Sequence, residues 1–183
     1  DASIHEVILS GGDPLALSDR RLGALLTGLN RISHLKRLRI HSRLPVVLPE
    51  RVDDSLLNLL AHLRLQSVLV IHANHPQEMD DSVRAALTQL ATTGVTLLNQ
   101  SVLLRGVNDA AATLIELSEA LFAARVMPYY LHLLDRVRGA AHFEVKEANA
   151  SAIMKKLRQR LPGYLVPRLV REQPGQPAKT PVW

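Results

Sequence analysis

Ser10-Gly11-Gly12-Asp13-Pro14-Leu15 follows directly on the apolar run His5 to Leu9, and the next helical pattern starts only at Ser18. Two adjacent glycines let a backbone turn sharply and leave N–H and C=O groups bare where a Cβ would obstruct them. Asp13 supplies an acceptor at the same place. Alone, a Gly-Gly-Asp after a strand is equally an ordinary β-to-α turn. Its weight comes from recurrence, because the same event is repeated down the chain.

Ser18 is placed as an N-cap, Asp19 suits a first turn, and Leu22, Leu25, Leu26 and Leu29 share one helical face. Leu38 to Ile40 reads as a short strand ending at His41-Ser42-Arg43, after which Pro45 and Pro49 are expected to keep the chain extended. Asp53 or Asp54 caps a helix carrying Leu56, Leu57, Leu60 and Leu63. The apolar run Val68 to Ile71 then ends at His72-Ala73-Asn74-His75-Pro76. Such continuous runs suit strands buried on both faces, as in a parallel sheet. The cycle continues with a helix bearing Val83, Ala86, Leu87 and Leu90, closed by Gly94 as its C′ residue. A strand from Val95 to Leu98 stops at Asn99-Gln100-Ser101, and Asn108 or Asp109 caps a helix with Leu114, Leu117 and Leu121. Met127 to Leu134 is a fifth strand ending at Asp135. A helix with Ile153, Leu157 and Leu161 and a sixth strand, Leu165 to Val170, complete the series.

Six strands alternating with five helices specify right-handed parallel βαβ units. No Rossmann GxGxxG follows the first strand. Polar groups collect after every strand, so a partial (β/α) barrel, class α/β, fits better than a doubly wound sheet. Residues 1–171 form that barrel and 172–183 a C-terminal segment rich in proline and glycine.

The 183 residues fit one domain, and a 47% hydrophobic share fills a core. Charged residues at 21% argue against disorder. No apolar run approaches the roughly 20 residues needed to cross a bilayer, and no leader is recognised, so a soluble, cytoplasmic protein without membrane partners is expected. The chain has no cysteine, hence neither a disulfide framework nor a thiolate for zinc or an iron–sulfur cluster. Its net charge of +5 comes mostly from arginine and suits an anionic ligand, an acidic partner or nucleic acid. Aromatics at 3% supply few stacking platforms for single strands, which counts against nucleic acid. Arg20-Arg21 and Lys155 to Arg160 read as solvated helix faces.

The strand ends offer Asp13, His41, Ser42, Arg43, His72, Asn74, His75, Asn99, Gln100, His132, Asp135 and Glu172. Catalytic residues in (β/α) barrels come from the ends of several strands. Each of these also has a bland reading, such as a satisfied buried histidine. A metal site of His72, His75 and His132 is conceivable but shows no outer partners, and no metal ligand is assigned. Lys179, within Gln176-Pro177-Ala178-Lys179-Thr180-Pro181, is by composition a solvated tail lysine. Lysine is also the residue that forms a Schiff base with pyridoxal phosphate, and a loop after the last strand could fold it over the barrel mouth. Asp135 and Glu172 would then be placed to hold a substrate cation.

Seven stretches in the same order resemble the lysine 2,3-aminomutase family of radical S-adenosylmethionine enzymes. They are Leu9 to Asp13, Arg39 to Pro49, His72 to Pro76, Asn99 to Asp109, Pro128-Tyr129-Tyr130, Gly139 to Phe143 and Ala178 to Pro181. The wording around Tyr130-Leu131-His132 is similar to the branch that makes (R)-β-lysine for elongation factor P. The resemblance implies a radical S-adenosylmethionine-type partial barrel and an isomerase. In the family, a 5′-deoxyadenosyl radical takes hydrogen from C3 of lysine held as a pyridoxal phosphate aldimine, and the nitrogen migrates from C2 to C3. The implied substrate is lysine, with a pathway link to elongation factor P and its lysyl ligase. How subunits pair is left open, a homo-oligomer included.

Position by position, the resemblance gives Lys179 as the catalytic, cofactor-binding lysine, and Asp135 and Glu172 as holders of the substrate ammonium. Glu172 stands where family members often have aspartate, which puts substrate strength and preference in question. Gly11, Gly12 and Asp13 match the turn that receives the amino group of S-adenosylmethionine. Ser42, His72 and Gln100 match positions around that cofactor, and His132 falls where a tyrosine near pyridoxal phosphate is common. The family's [4Fe–4S] cluster sits on a Cys-x3-Cys-x2-Cys loop after the first barrel strand. The sequence begins after that point and lacks the first strand or strands, so the chain as given is expected to be inactive alone. Two other readings remain open, a non-radical Schiff-base barrel lyase or isomerase using Lys179, and a basic module that binds a protein or nucleic acid.

Overall fold

A computed structural model describes residues 1–135, 138–173, 175–176 and 178–182. The chain packs as two compact units, Asp1–His72, Asp80–Leu98 and Ala124–Val126 in the first, Ala73–Met79, Asn99–Ala123 and Met127–Trp183 in the second. Of the segment 172–183, Pro174, Pro177 and Trp183 lie outside the described residues.

The first unit holds β1 (Glu6–Leu9), α1 (Asp19–Asn30), β2 (Arg37–His41), α2 (Leu44–Val47), α3 (Asp54–Ala61), β3 (Gln66–Ile71) and α4 (Asp81–Thr92). β1 pairs with β2 and β2 with β3, both parallel, in registers that include Leu9↔Ile40 and Ile40↔Leu69. Leu69, Val70 and Ile71 are buried in succession, as a strand covered on both faces requires. Buried Leu22 and Leu26 of α1, Leu56 and Leu60 of α3, and Val83, Leu87 and Leu90 of α4 carry the helical faces expected from their spacing. Asp53 caps α3, accepting from the Leu56 N–H at 2.8 Å, and Gly94 takes φ 81° just after α4. Ser18 occupies the N-cap of α1, although its hydroxyl makes no capping bond.

β4 (Thr96–Leu103) runs from the first unit into the second, which continues with α5 (Ala111–Ala123), β5 (Val126–Leu133), α6 (Glu147–Arg160), β6 (Arg168–Arg171) and β7 (Thr180–Pro181). β5 and β6 are parallel, and β6 pairs antiparallel with β7. Strand order follows the chain from β1 to β7. Chain-ordered, mostly parallel strands with helical crossovers are the partial (β/α) barrel class. Leu114, Leu117 and Leu121 of α5 and Ile153, Met154 and Leu157 of α6 are buried in the second unit. No helix among the described residues is long and apolar enough to cross a membrane.

Several local expectations are corrected. The stretch around Pro45 and Pro49 is not extended, because each proline sits in the first turn of a helix, where its missing N–H costs no bond. Asn108 and Asp109 do not cap α5; their side chains turn back to the Leu104 and Gly106 N–H groups at 2.7 and 3.0 Å. Leu165 lies in a 3-10 turn, so β6 starts three residues later than expected. β7 was not anticipated.

The strand read as ending at Leu98 continues to Leu103. Alternation puts Asn99 and Ser101 on its buried side, and both are occupied with backbone. Asn99 Oδ1 accepts from the Ala73 N–H at 2.8 Å, while its Nδ2 donates to the Ala73 carbonyl at 3.0 Å and to Ser101 Oγ at 2.8 Å. Asn74 Oδ1 accepts from the Val102 N–H at 2.7 Å, and Asn108 Nδ2 donates to the Asn74 and Val102 carbonyls at 2.8 and 2.9 Å. These amides supply backbone partners that a plain strand ladder would provide elsewhere. Asn99→Ala leaves the buried Ala73 N–H without an acceptor. A stability loss of about 1–3 kcal/mol is expected, measured as the shift in urea midpoint against the unsubstituted chain.

Candidate functional site

The chemistry-bearing side chains form a separate group in each unit. In the first, Gly12 (φ 66°) and Asp13 (φ 44°) both lie in the left-handed region. Asp13 tolerates this conformation because its carboxylate is fully used. It accepts from Ser42 Oγ at 2.7 Å, the Arg43 N–H at 2.8 Å and the Leu15 N–H at 3.1 Å. The turn after β1 is thereby fastened to the end of β2. Ser42 is 2% exposed, and its oxygen also accepts from the Leu44 N–H at 3.1 Å. A Cβ built at Gly11 would meet nothing within 4 Å, and the residue has no positive φ. Neither internal packing nor backbone conformation therefore demands glycine at Gly11. His72, just beyond β3, lies with its ring centroid 5.9 Å from that of His41. Asp13 and Ser42 thus touch directly, with Gly11 and Gly12 in the same turn.

Arg51 reinforces this turn and was not singled out from the sequence. Its Nε donates to the Leu15 carbonyl at 2.7 Å and its Nη2 pairs with Asp19 at 2.7 Å.

In the second unit, Gln100 stands on the side of β4 opposite Asn99 and Ser101. Its Oε1 is buried and has no hydrogen-bond partner among the described residues. His75 is a cap, its Nδ1 accepting from the Gln77 N–H at 3.2 Å. Among the described residues no three metal-ligating side chains come together.

Asp135 and Glu172 line one cavity of about 750 Å³. Leu133, Leu134 and Val145 form its apolar wall, and Glu144 adds a third carboxylate. Glu144 was not identified from sequence, where it is only the residue after the Gly139 to Phe143 stretch. That stretch is held by Arg105, whose N–H donates to the Phe143 carbonyl and whose guanidinium donates to the His142 carbonyl, both at 2.8 Å. Such a cavity suits a cation on a hydrocarbon stem.

Lys179 lines a second cavity, about 670 Å³, with Tyr130, Arg158 and Arg168. Its Nζ lies 5.6 Å from the Tyr130 ring centroid and donates to Glu172 Oε1. His132, 5% exposed, meets Tyr130 edge-on at 5.7 Å. The bond from the Lys179 ammonium holds the Glu172 carboxyl below the usual carboxylate range; partial burial opposes this, and the charges of Lys179 and His132 add to it.

A depressed carboxylate gains its interaction above its unfolded pKa and loses it as pH falls through the folded one. The Glu172 carboxyl is therefore expected to titrate below an ordinary glutamate when followed by carbon NMR. Lys179→Met should return its midpoint upward. An unchanged midpoint would separate Glu172 from Lys179 in solution.

No family model matches the chain. It is 56% identical to the L-lysine 2,3-aminomutase of Escherichia coli (strain K12), over 98% of this chain and 52% of that protein. It is 53% identical to the L-lysine 2,3-aminomutase of Haemophilus influenzae, over 98% and 53%, and 42% identical to that of Clostridium subterminale, over 98% and 43%. The chain spans about half the length of the curated relatives it matches. Among solved structures it resembles a domain of pyruvate-formate lyase-activating enzyme from Bacteroides vulgatus ATCC 8482, with TM-score 0.60 and 15% identity, over 91% of this chain and 98% of that one. A radical SAM methyltransferase from Sphaerobacter thermophilus gives TM-score 0.53 and 15% identity over 86% and 58%. At such identities these two likenesses concern the fold alone.

Proposed function

We propose that, over the half of those proteins that it spans, the chain is a lysine 2,3-aminomutase and holds the substrate and organic cofactors of an isomerase that moves the 2-amino group of L-lysine to C3, a reading that its identity to those enzymes supports. The observation that carries this reading is the shared cavity of Asp135 and Glu172, with Lys179 bonded to Glu172. Leu133, Leu134 and Val145 match the methylene stem of a lysine, and the two carboxylates match its terminal ammonium. Lys179 is an amine beside that cavity, able to join an aldehyde.

The residues present fit two organic cofactors. Lys179 would hold pyridoxal phosphate, with the Tyr130 ring beside it and the guanidinium groups of Arg158 and Arg168 on the same cavity wall. In the first unit Gly11, Gly12, Asp13, Ser42 and His72 would hold S-adenosylmethionine, for which the open backbone at Gly11 offers contacts. When bound, pyridoxal phosphate supplies an aldehyde and a conjugated ring that spreads an unpaired electron, and S-adenosylmethionine supplies the carbon radical that removes hydrogen. The chain's own part is to place the substrate's two amino groups and to keep water from the reacting carbon. Asp13 does so indirectly, as the anchor that sets the turn carrying Gly11 and Gly12.

With no cysteine, the chain offers a [4Fe–4S] cluster no thiolate. In this reading it does not turn lysine over by itself. The finer assignment, β-lysine for the lysyl ligase that modifies elongation factor P, is supported by the wording at Tyr130-Leu131-His132.

Incubation with pyridoxal phosphate, borohydride trapping and peptide mapping test the reading. The label is expected on Lys179 and absent from Lys179→Ala. A label spread over Lys36, Lys146, Lys155 and Lys156 would overturn it.

A further inference from the structure

The antiparallel register of β6 and β7 pairs Val170 with Pro181 and Arg171 with Thr180. Continued by one step, that register sets Glu172 opposite Lys179. Their ion pair therefore has the placement of a cross-strand pair of opposite charge, one step beyond the end of the β6–β7 ladder. The Glu172 side chain is 54% exposed and that of Lys179 25%. Glu172 lines the carboxylate cavity, while Lys179 lines the neighbouring one with Tyr130. The pair thus draws a cation of the chain onto a carboxylate of the cavity proposed for the substrate's cation. Arg171 is the cation that itself lines the carboxylate cavity, and it is drawn to Glu147 at 2.8 Å.

We propose that Lys179 is an internal competitor for the cation subsite, occupying Glu172 until its nitrogen is covalently engaged by an aldehyde, so that the aldehyde cofactor loads first and the cationic substrate end second. This rests on the reading of Lys179 and of the carboxylate cavity given above. The chemistry is balanced without a redox partner. The ammonium gives one proton to solvent, the amine nitrogen bonds the aldehyde carbon, the carbonyl C–O bond breaks, and the oxygen leaves as water with the two remaining nitrogen protons. A nitrogen that offered three N–H donors then keeps at most one. Glu172 loses its partner and joins Asp135 as an acceptor for an incoming cation.

Pyridoxal phosphate is also an aldehyde toward free amines, so the probe must be a cation that cannot condense with it. Pentyltrimethylammonium has an aliphatic stem and no N–H. Its affinity is measured by titration calorimetry on the unsubstituted chain, on the chain loaded with pyridoxal phosphate as followed by absorbance, and on Lys179→Met, Lys179→Arg and Lys179→Met/Glu172→Gln. Loading and Lys179→Met are each expected to tighten binding about two- to fivefold, the range for an exposed ion pair. Lys179→Arg keeps the cation and the original affinity, and Glu172→Gln abolishes the gain from Lys179→Met. Equal affinity in loaded, unloaded and Lys179→Met chains overturns the competition while leaving the cavity's cation preference standing. No binding to any form, with Lys179 loaded, overturns the cation subsite itself, and with it the competition.

Discussion

A strand that ends inside a fold leaves backbone N–H and C=O groups that must find partners, and in this chain polar side chains meet that demand. Asp13 takes the Arg43 and Leu15 N–H groups together with the Ser42 hydroxyl, which ties the exit of β1 to the exit of β2. Asn99, Asn74 and Asn108 do the same around Ala73 and Val102. Removing such a partner costs more than the bond itself, because the other group stays buried and dry. The consequence for function is geometric: the turns that carry Gly11 and His75 are fixed by side-chain bonds, not by packing alone.

This constraint explains which part of the site could be read from the sequence. Periodicity located β1, β2, β3, α1, α3, α4, α5 and α6, since burial at 3.6-residue spacing or in continuous runs leaves a direct trace in residue type. Polar residues after strands leave an ambiguous trace. Asn74, His75 and Asn99 look the same in sequence as Gln100, yet the first three are committed to backbone groups, while Gln100 Oε1 has no partner among the described residues. Only the three-dimensional hydrogen-bond partners separate them. Glu144 is the opposite case. Nothing local marks it, and it becomes part of the carboxylate cavity because Arg105 holds the preceding loop. Proline misled at residues 45 and 49 because the first turn of a helix accepts it as readily as an extended segment does.

β7 escaped detection for a related reason. Two residues, one a proline, carry no periodicity. Its consequence exceeds its size, since the β6–β7 register brings Lys179 to Glu172. The match to the lysine 2,3-aminomutases concerns residue types along the chain, whereas this pairing depends on strand register, which a one-residue slip would abolish. The two descriptions therefore support one another without being the same observation.

Glutamate at residue 172 also bears on how that pairing works. One methylene more than aspartate lets the carboxylate extend past the end of the ladder, where it both accepts from Lys179 and lines the cavity of Asp135 and Glu144. A shorter carboxylate on the same backbone would reach less far in either direction. The added length thus joins the amine of Lys179 and the cavity of Asp135 through one shared anion. Charge removed from Lys179 is then felt in the pocket by direct loss of a partner, because Glu172 is half-exposed and solvent screening weakens any influence that acts only at a distance.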